Sequence, residues 1–209
     1  MKNFLAVDTS SEYLTVVACK DGKVESEFIE NCSMRHSVTL MNAIDGLLAR
    51  TGWLLEDFEF FSAVVGAGSF TGIRIGISAI KGFCLALNKP ALPVTSFDVC
   101  AYNSVGEKAK RLCLVDALHD CYYACGYNGE SIVYEPEFIN ETEVLALKDK
   151  GYELLSCSNL PVQEKTEVKR CNPVEGLVNA VRKLSEQGKF GELSALYVRK
   201  SSAELNLKL

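Results

Sequence analysis

Short apolar runs and longer segments of helical periodicity alternate along the first half of the chain. Three strand-like runs come first, and Asp21-Gly22 provides a two-residue hairpin turn between the second and the third. Two segments with apolar residues at helical spacing follow, separated by a further strand-like run. The pattern predicts strands at 3–8, 13–20, 23–30, 60–66 and 92–94, and helices from Ser33 or Arg35 to about Arg50 and from 72 to 87. This order is typical of a mixed sheet with helices on its faces.

The second half of the chain continues the alternation more faintly. Its pattern predicts strands at 111–115, 121–127 and 131–137, and helices at 142–150 and 173–186. The polar stretch around Gly106 predicts a boundary between two lobes. We therefore expect an N-terminal lobe over 1–106, a smaller C-terminal lobe over 107–190, and a tail over 191–209 that packs back on the first lobe.

A glycine-rich loop follows the predicted strand at 60–66. Glycines lack the Cβ atom that would keep the backbone away from an anion, and a helix N-terminus favours negative charge. Ser69 and Thr71 add hydroxyl groups, one of which could cap the next helix. The Lys-Ser/Thr pair of the nucleoside-triphosphatase loop does not follow these glycines. A phosphate-binding loop and a simple tight turn therefore both remain open.

A second polar loop, Asp8-Thr9-Ser10-Ser11, follows the first predicted strand. By itself this is ordinary turn chemistry, because Asp and Ser bond to their own backbone. It is also the arrangement of the phosphate-gripping turn in the actin, sugar-kinase and Hsp70 superfamily. With the stretch from Gly66 to Gly76, it resembles the TsaB (YeaZ) family, whose signature is Gly-Pro-Gly-Ser-Phe-Thr-Gly-(Leu/Ile)-Arg-(Ile/Val)-Gly. Only Ala67, in place of Pro, departs from that signature.

The resemblance covers the first 130 residues well and the remainder weakly, although 195–199 is similar to the family's terminal Tyr-Leu-Arg segment. It implies an α/β, actin-like fold of the ASKHA, ribonuclease H-like type: two lobes of mixed sheets flanked by helices, the second lobe reduced. It also implies a degenerate nucleotide or phosphate loop, with weak nucleotide binding only inside a complex and no resident cofactor. The residues of that loop would be Asp8, Thr9, Ser10, Gly66, Gly68, Ser69, Thr71 and Gly72.

The implied function is that of a non-catalytic scaffold and activator in the glycoprotease superfamily. Such a subunit acts in forming N6-threonylcarbamoyladenosine at position 37 of tRNAs that read codons beginning with A. The resemblance implies a TsaD-like catalytic subunit and a TsaE-like ATPase as partners, and a homodimer when the chain is isolated. The alternative is an actin-fold ATP-dependent kinase or hydrolase that uses Asp8 and the Gly66–Gly72 loop. Sugar kinases of that fold are much longer, which argues against this alternative.

The positions of the metal ligands in TsaD-like chains carry other residues here. In those chains a His-x-x-x-His pair follows an Ile-Pro-Val strand, and the same register after Leu92-Pro93-Val94 gives Ser96 and Cys100. A hydroxyl and a lone thiol cannot replace two imidazoles at a divalent metal site. We therefore expect no metal and no catalysis. His36, at a helix start, is expected to be solvated or to cap the helix, and His119 is expected to be an exposed turn residue. We find no nucleophile set for a protease.

Composition restricts the partners and the compartment. The 209 residues are 48% apolar with a net charge of −5, and no uninterrupted apolar stretch reaches ~18 residues. We expect a cytoplasmic protein without a membrane span, whose nine cysteines are mostly reduced and buried. The spacing of Cys121 and Cys125 is that of neither a Cys-x-x-Cys redox motif nor a usual zinc site. The acidic charge argues that tRNA is contacted only indirectly, through the complex.

Both predicted helices of the first lobe are apolar over more of their surface than one sheet face requires. Small residues on the second helix would let another helix approach closely. The excess predicts a partner interface, which the resemblance implies to be a four-helix bundle; two helices deep in the core are the alternative. The predicted interface residues are Val38, Met41, Ile44, Leu48, Ile73, Gly76, Ile77, Ala79, Ile80, Gly82 and Phe83.

Overall fold

The computed structural model describes residues 2–104 and 110–199, and its first half is built on a five-stranded sheet of order β3-β2-β1-β4-β5. The pairs β1–β2 and β2–β3 are antiparallel, whereas the pairs β1–β4 and β4–β5 are parallel. The strands are β1 (Phe4–Asp8), β2 (Leu14–Lys20), β3 (Lys23–Ile29), β4 (Phe60–Val64) and β5 (Ala91–Val94). The predicted mixed sheet is confirmed, with strand ends within two residues of the prediction.

A second five-stranded sheet has the order β10-β9-β6-β7-β8. Within this sheet, β6, β7 and β8 form an antiparallel meander, and β9 and β10 extend it on the other side of β6 as parallel strands. The strands are β6 (Lys110–Asp116), β7 (Cys121–Asn128), β8 (Ser131–Asn140), β9 (Glu153–Ser156) and β10 (Lys169–Arg170). The sequence pattern did not predict β9 or β10, because runs of four and two residues carry too little periodicity.

In the described part of the chain, five α-helices cover the two sheets. They are α1 (His36–Thr51), α2 (Phe70–Leu87), α3 (Ser96–Ala101), α4 (Glu141–Asp149) and α5 (Pro173–Glu186). One side of the first sheet packs against α1 and α2, and the other side packs against α3 and α5. Because both faces are covered, the central strands are apolar without alternation: all five residues of β1 are buried. The alternation of strand with helix therefore gives the layered fold that the sequence predicts.

The boundaries of α1 and α2 follow from local chemistry. At the C-terminal end of α1, Gly52 takes the left-handed conformation, and its N–H donates to the carbonyl of Leu48 at 2.8 Å. The Ser69 side chain caps α2 by accepting from the N–H of Gly72 at 3.2 Å, so α2 begins at Phe70, two residues before the predicted start. Asn88, also left-handed, ends it.

The last helix and the tail pack on the first sheet. Contacts join α5 to β1, β2 and β5, although the predicted division places it in the second lobe. In the tail, Leu193 is buried in the core between the first sheet and α2, and the N–H of Leu196 donates to the carbonyl of Val65 at 2.7 Å. The predicted boundary near residue 106 and residues 200–209 of the predicted tail lie outside the described residues. The division into lobes stays a prediction.

One helix among the described residues, α2, is long and apolar enough to cross a membrane by length and composition alone. A core helix passes the same test. In the fold, the Ile73 and Ile80 side chains of α2 are fully buried in the core shared with the first sheet, yet only 28% of the helix is buried. The exposed positions of α2 are mixed: Thr71, Arg74, Ser78 and Lys81 are polar, whereas Gly82, Leu85 and Ala86 are not.

We predict that Leu193→Ala lowers the free energy of unfolding by about 2–4 kcal/mol, because it removes a buried side chain and leaves a cavity. The matched control is Leu85→Ala on α2, where the side chain is 86% exposed and the change should be within about 0.5 kcal/mol. Urea unfolding of both variants measures the difference. Equal, small effects would mean that the tail does not anchor in the core of the first sheet.

Candidate functional site

Two loops lie side by side at one edge of the first sheet: the turn at residues 8–13, here called the Asp8 turn, and the glycine loop at residues 66–72. They follow β1 and β4, which are neighbouring parallel strands, and loops after parallel strands share an edge. The N–H of Ser69 donates to the carbonyl of Ser10 at 2.7 Å. The Thr9 hydroxyl donates to the carbonyl of Gly72 at 2.7 Å. The two predicted loops are therefore bonded directly to each other.

The glycines of the loop make room for the chain's own backbone. A Cβ atom at Gly68 would stand 2.2 Å from the carbonyl oxygen of Ser10, and one at Gly72 would stand 2.0 Å from that of Thr9. Real Cβ atoms do not approach backbone oxygens so closely. The space that the missing side chains leave is therefore filled by the Asp8 turn.

The backbone donors of the loop are also engaged within the chain. Besides the Ser69 amide, the amide of Gly72 donates to the Ser69 hydroxyl, and that of Ile73 donates to the Ser69 carbonyl. Thr71, predicted as part of the same loop, is exposed and lines a different surface, the groove between α1 and α2. The arrangement is that of a helix N-terminus whose first turn is already capped by the protein.

Asp8 is the last residue of β1 and is 1% exposed. Its Oδ1 accepts from the backbone N–H of Ser10 at 2.9 Å and from the Ser10 hydroxyl at 2.7 Å. Burial raises the pKa of Asp8, while the hydrogen bonds from Ser10 and the nearby His36 oppose the rise. The carboxylate thus fixes the shape of its own turn.

His36 differs from its prediction as a solvated or capping residue. It is the first residue of α1, but its ring is 4% exposed and its Nε2 lies 3.0 Å from the carbonyl oxygen of Tyr13. The turn that holds Tyr13 folds over the start of α1, which removes His36 from water. The sequence offers no periodic signal for such a contact between turn and helix.

Ser96 and Cys100 lie one turn apart on α3, directly below the glycine loop. The Ser96 hydroxyl donates to the carbonyl of Ala67 at 2.6 Å and lies 3.1 Å from the Ser10 hydroxyl. Cys100 instead meets the sulfur of Cys157 at 3.4 Å. The two side chains therefore have different neighbours. Among the described residues, no group of three or more His, Cys, Asp or Glu side chains is arranged to hold a metal ion.

The sequence pattern missed α3, which brings Ser96 to the site. Six residues are too few to establish a helical period. A signal was available in the cap: Thr95 accepts from the N–H of Asp98, and the Asp98 carboxylate accepts from the N–H of Thr95. This reciprocal pair marks a helix start even where periodicity fails.

The tail covers the outer side of the glycine loop. The Tyr197 ring stacks on Phe70 with 4.7 Å between the ring centroids, and its hydroxyl accepts from the Arg74 Nε at 2.8 Å. The tail packs so closely on the loop and on Tyr123 that no water molecule fits between them. The Gly66–Ala67 peptide bond beneath this cover is cis. Sequence reasoning did not assign Tyr197 to the site.

A groove of about 640 Å³ lies between α1 and α2, on the side of these helices that faces away from the first sheet. Its lining includes Met41, Ile75 and Ala79, with Arg74 and Thr71 at the N-terminal end of α2. Val38 and Met41 expose 65% and 42% of their surface, and a Cβ atom at Gly82 would meet no atom within 4 Å. This part of the predicted interface is accessible to another molecule.

Five predicted interface residues are buried in the chain's own structure and cannot meet a partner. They are Ile44, Ile73, Gly76, Ile77 and Ile80. Leu48, Ala79 and Phe83 are half-buried. Helical periodicity alone does not separate these positions, because buried residues of α2 such as Ile73 and half-buried ones such as Ile75 and Ala79 are all apolar. The predicted interface is corrected to the exposed and half-buried members.

Gly76, predicted to face a partner, instead packs against Thr9 of the Asp8 turn. A Cβ atom there would stand 2.6 Å from the Thr9 hydroxyl, whose hydrogen bond to Gly72 joins the two loops.

We predict that Gly76→Ala lowers the free energy of unfolding by about 1–3 kcal/mol through overpacking. The control Gly82→Ala, in the same helix but open, should raise it by about 0.5–1 kcal/mol through helix propensity. Chemical denaturation of both variants provides the comparison, and the same sign for both would refute the close contact.

Comparison with known proteins places these features in a family. The family model described as "TsaD: tRNA N6-adenosine threonylcarbamoyltransferase" matches residues 30–184, well over half of the chain. The chain is 29% identical over 144 residues to the Escherichia coli K12 protein named "tRNA threonylcarbamoyladenosine biosynthesis protein TsaB", which covers 68% of this chain and 61% of that protein. It is 32% identical over 99 residues to the Bacillus subtilis 168 protein of the same name; this aligned segment is 47% of this chain and 43% of that protein.

The chain thus spans about two fifths to three fifths of the length of these curated relatives. Among solved structures it is similar to "YeaZ from Pseudomonas aeruginosa", with a TM-score of 0.78 and 21% identity over 94% of this chain and all of that one. At this identity the likeness shows the fold, which is the actin-like, ribonuclease H-like fold that the motifs imply. With the Asp8 turn, the glycine loop and the fold in agreement, the chain belongs to the TsaB (YeaZ) family.

Proposed function

We propose that this chain is a non-catalytic scaffold and activator subunit in the formation of N6-threonylcarbamoyladenosine at position 37 of tRNAs that read codons beginning with A. Its curated relatives are named for threonylcarbamoyladenosine biosynthesis, and it belongs to their family. In this proposal it acts by binding a TsaD-like catalytic subunit, with a TsaE-like ATPase as a further partner. The net charge of −5 supports a role in which tRNA is held by the complex as a whole.

The observation that carries the proposal is the open apolar face formed by α1 and α2. It presents Met41 of α1 and the half-buried Ile75 and Ala79 of α2 in a groove of about 640 Å³, and Val38 is exposed beside it. Exposed apolar surface of this kind marks interaction sites. A specific interface buries ~800 Å² per partner, which two helices of this length are able to supply.

The proposed occupant of this face is the corresponding face of a TsaD-like subunit. The TsaD family model aligns with residues 30–184, a range that includes α1 and α2. A partner with the same two helices would meet this chain about a pseudo-twofold axis, as identical subunits do in an isologous dimer. A second copy of the chain fits the same face for that reason, and we propose it as the occupant when the chain is isolated.

The absence of catalysis is proposed from the chemistry at α3. A divalent metal site needs several imidazole, thiolate or carboxylate ligands that point to one centre. Here the Ser96 hydroxyl bonds to Ala67 and approaches Ser10, whereas the Cys100 thiol contacts Cys157. These contacts supply no pair of ligands at the two positions.

We further propose that the isolated chain holds no nucleotide, and that any weak binding requires the complex. The amide of Ser69 is engaged by Ser10, and the carbonyls of Thr9 and Ser10 fill the space beside Gly72 and Gly68. Titration calorimetry with ATP and Mg²⁺ on the isolated chain should therefore give no binding heat. Micromolar binding that Asp8→Asn abolishes would instead favour the kinase or hydrolase alternative.

The partner face is tested with Gly82→Glu. Gly82 lies one helical turn beyond Ser78 and Ala79 of the groove, on the same side of α2. The new carboxylate would be buried against the partner without a counter-ion, which should weaken binding of the TsaD-like subunit by about 3 kcal/mol, or more than 100-fold in Kd. Gly46→Glu is the matched control, because Gly46 is an exposed glycine of α1 with an equally open Cβ position. It lies five residues after Met41 of the groove, which places it about 140° around the helix from that residue. Titration of each purified variant with the TsaD-like protein measures both affinities.

The same variants serve in a reconstituted tRNA modification reaction. Gly82→Glu should fail to activate the TsaD-like subunit, Gly46→Glu should activate it, and the chain alone should form no modified tRNA. Thermal unfolding of each variant controls for damage to the fold. A folded Gly82→Glu variant that binds and activates normally would place the interface elsewhere, and product formed by the chain alone would overturn the non-catalytic role.

A further inference from the structure

Four buried cysteines meet where the first half of the chain contacts the second sheet. Cys100 belongs to α3 and Cys113 to β6, while Cys157 and Cys171 directly follow β9 and β10. All four are at most 5% exposed, and all nine cysteines of the chain are free thiols. The sulfurs of Cys100 and Cys157 lie 3.4 Å apart, and the Cys171 sulfur lies 3.7 Å from the carbonyl oxygen of Cys100. We refer to these four residues as the thiol cluster.

The cluster favours one thiolate beside several thiols. Hydrogen bonds from the sulfurs of Cys100 and Cys157, aided by the charges of Lys169 and Arg170, hold the pKa of Cys171 well below its usual range, although burial opposes this. Hydrogen bonds among the neighbouring sulfurs raise the pKa of Cys100 and of Cys157. A thiolate is the form of cysteine that attacks a peroxide, and a neighbouring thiol resolves the product.

We propose that the thiol cluster is an oxidation site, at which a peroxide converts Cys100 and one of its three neighbours into a disulfide. A thiolate attacks one peroxide oxygen, the O–O bond breaks, and a sulfenic acid and hydroxide form. A second thiol then attacks the sulfenic sulfur; an S–S bond replaces the S–O bond, and water leaves. Overall, two thiols lose two electrons and two protons, and one peroxide is reduced to two waters. Cys100 first resolves the sulfenic acid on the Cys171 thiolate. Cys157, whose sulfur lies 3.4 Å from that of Cys100, then attacks the Cys100 sulfur, so the S–S bond passes to Cys157 and Cys171 leaves as a thiolate. Cys157 is therefore the expected final partner of Cys100.

The position of Cys100 gives this disulfide a structural effect. Cys100 is held on α3, whereas Cys113, Cys157 and Cys171 all belong to or directly follow strands of the second sheet. A bond from Cys100 to any of them therefore ties α3 to that sheet. The same helix holds Ser96 below the glycine loop, and Ser158, next to Cys157, donates to the carboxylate of Glu12 in the Asp8 turn at 2.9 Å. The disulfide would fix both contacts.

The experiment uses the full chain with Cys84→Ser and Cys121→Ser, because these two thiols are half-buried and would form bonds between molecules. After treatment with hydrogen peroxide, unreacted thiols are alkylated under denaturing conditions, and peptides are mapped by mass spectrometry without reduction. We expect one disulfide within each chain that contains Cys100. Closing a loop of 57 residues should raise Tm by roughly 5–10 °C, and dithiothreitol should reverse the rise.

Two variants in that background identify the site. Cys100→Ser should lose both the disulfide and the rise in Tm, whereas Cys32→Ser should keep both, because Cys32 is buried in the separate core beneath α1 and α2. If Cys100→Ser fails to fold, the peptide map of the parent protein decides alone. A Cys157–Cys171 disulfide, a disulfide only between molecules, or complete alkylation of all four thiols after peroxide would each overturn the proposal.

Discussion

The contact between the Asp8 turn and the glycine loop is the constraint on which the rest of the structure depends. Two backbone segments approach so closely at Gly68 and Gly72 that no Cβ atom fits between them. The contact fixes where α2 starts, because the same loop supplies the Ser69 cap. It also fixes α3, whose first residue bonds to the Ala67 carbonyl of the loop. A side chain at either glycine would therefore disturb α2 and α3 together.

This constraint explains how a phosphate-loop sequence can serve a structural purpose. The residues that would cradle an anion are present, but the Ser69 N–H is engaged by the Ser10 carbonyl, and the carbonyls of Ser10 and Thr9 fill the space beside Gly68 and Gly72. Donors that are already engaged must exchange one hydrogen bond for another on binding an anion, so the net gain is small. The chain has the actin-like fold, and an internal contact occupies the place where an anion would approach the loop. A family likeness in fold therefore does not by itself decide the chemistry of the site.

Much of the first lobe follows from its sequence, because strong apolar runs and helical periodicity have few alternative interpretations. β1 to β5, α1 and α2 lie within two residues of their predicted bounds. Short elements were missed for the opposite reason: α3, β9 and β10 are decided by long-range pairing and a cap. Which side of α2 faces inward was also beyond the sequence, since Ile75 and Ile77 are chemically alike, yet only Ile77 is fully covered. Burial depends on tertiary contacts, and periodicity reports only their spacing.

The two sides of α2 then have separate physical roles. The inner side, with Gly76 against Thr9, holds the two loops together, and the outer side, with Gly82 open, remains free for another molecule. A rigid helix fixed at its inner side presents its outer side in one geometry, which lowers the entropy lost on binding. A scaffold that positions a catalytic partner requires this property. The internal contact between the two loops thus also fixes the geometry of the face at which we propose that a partner binds.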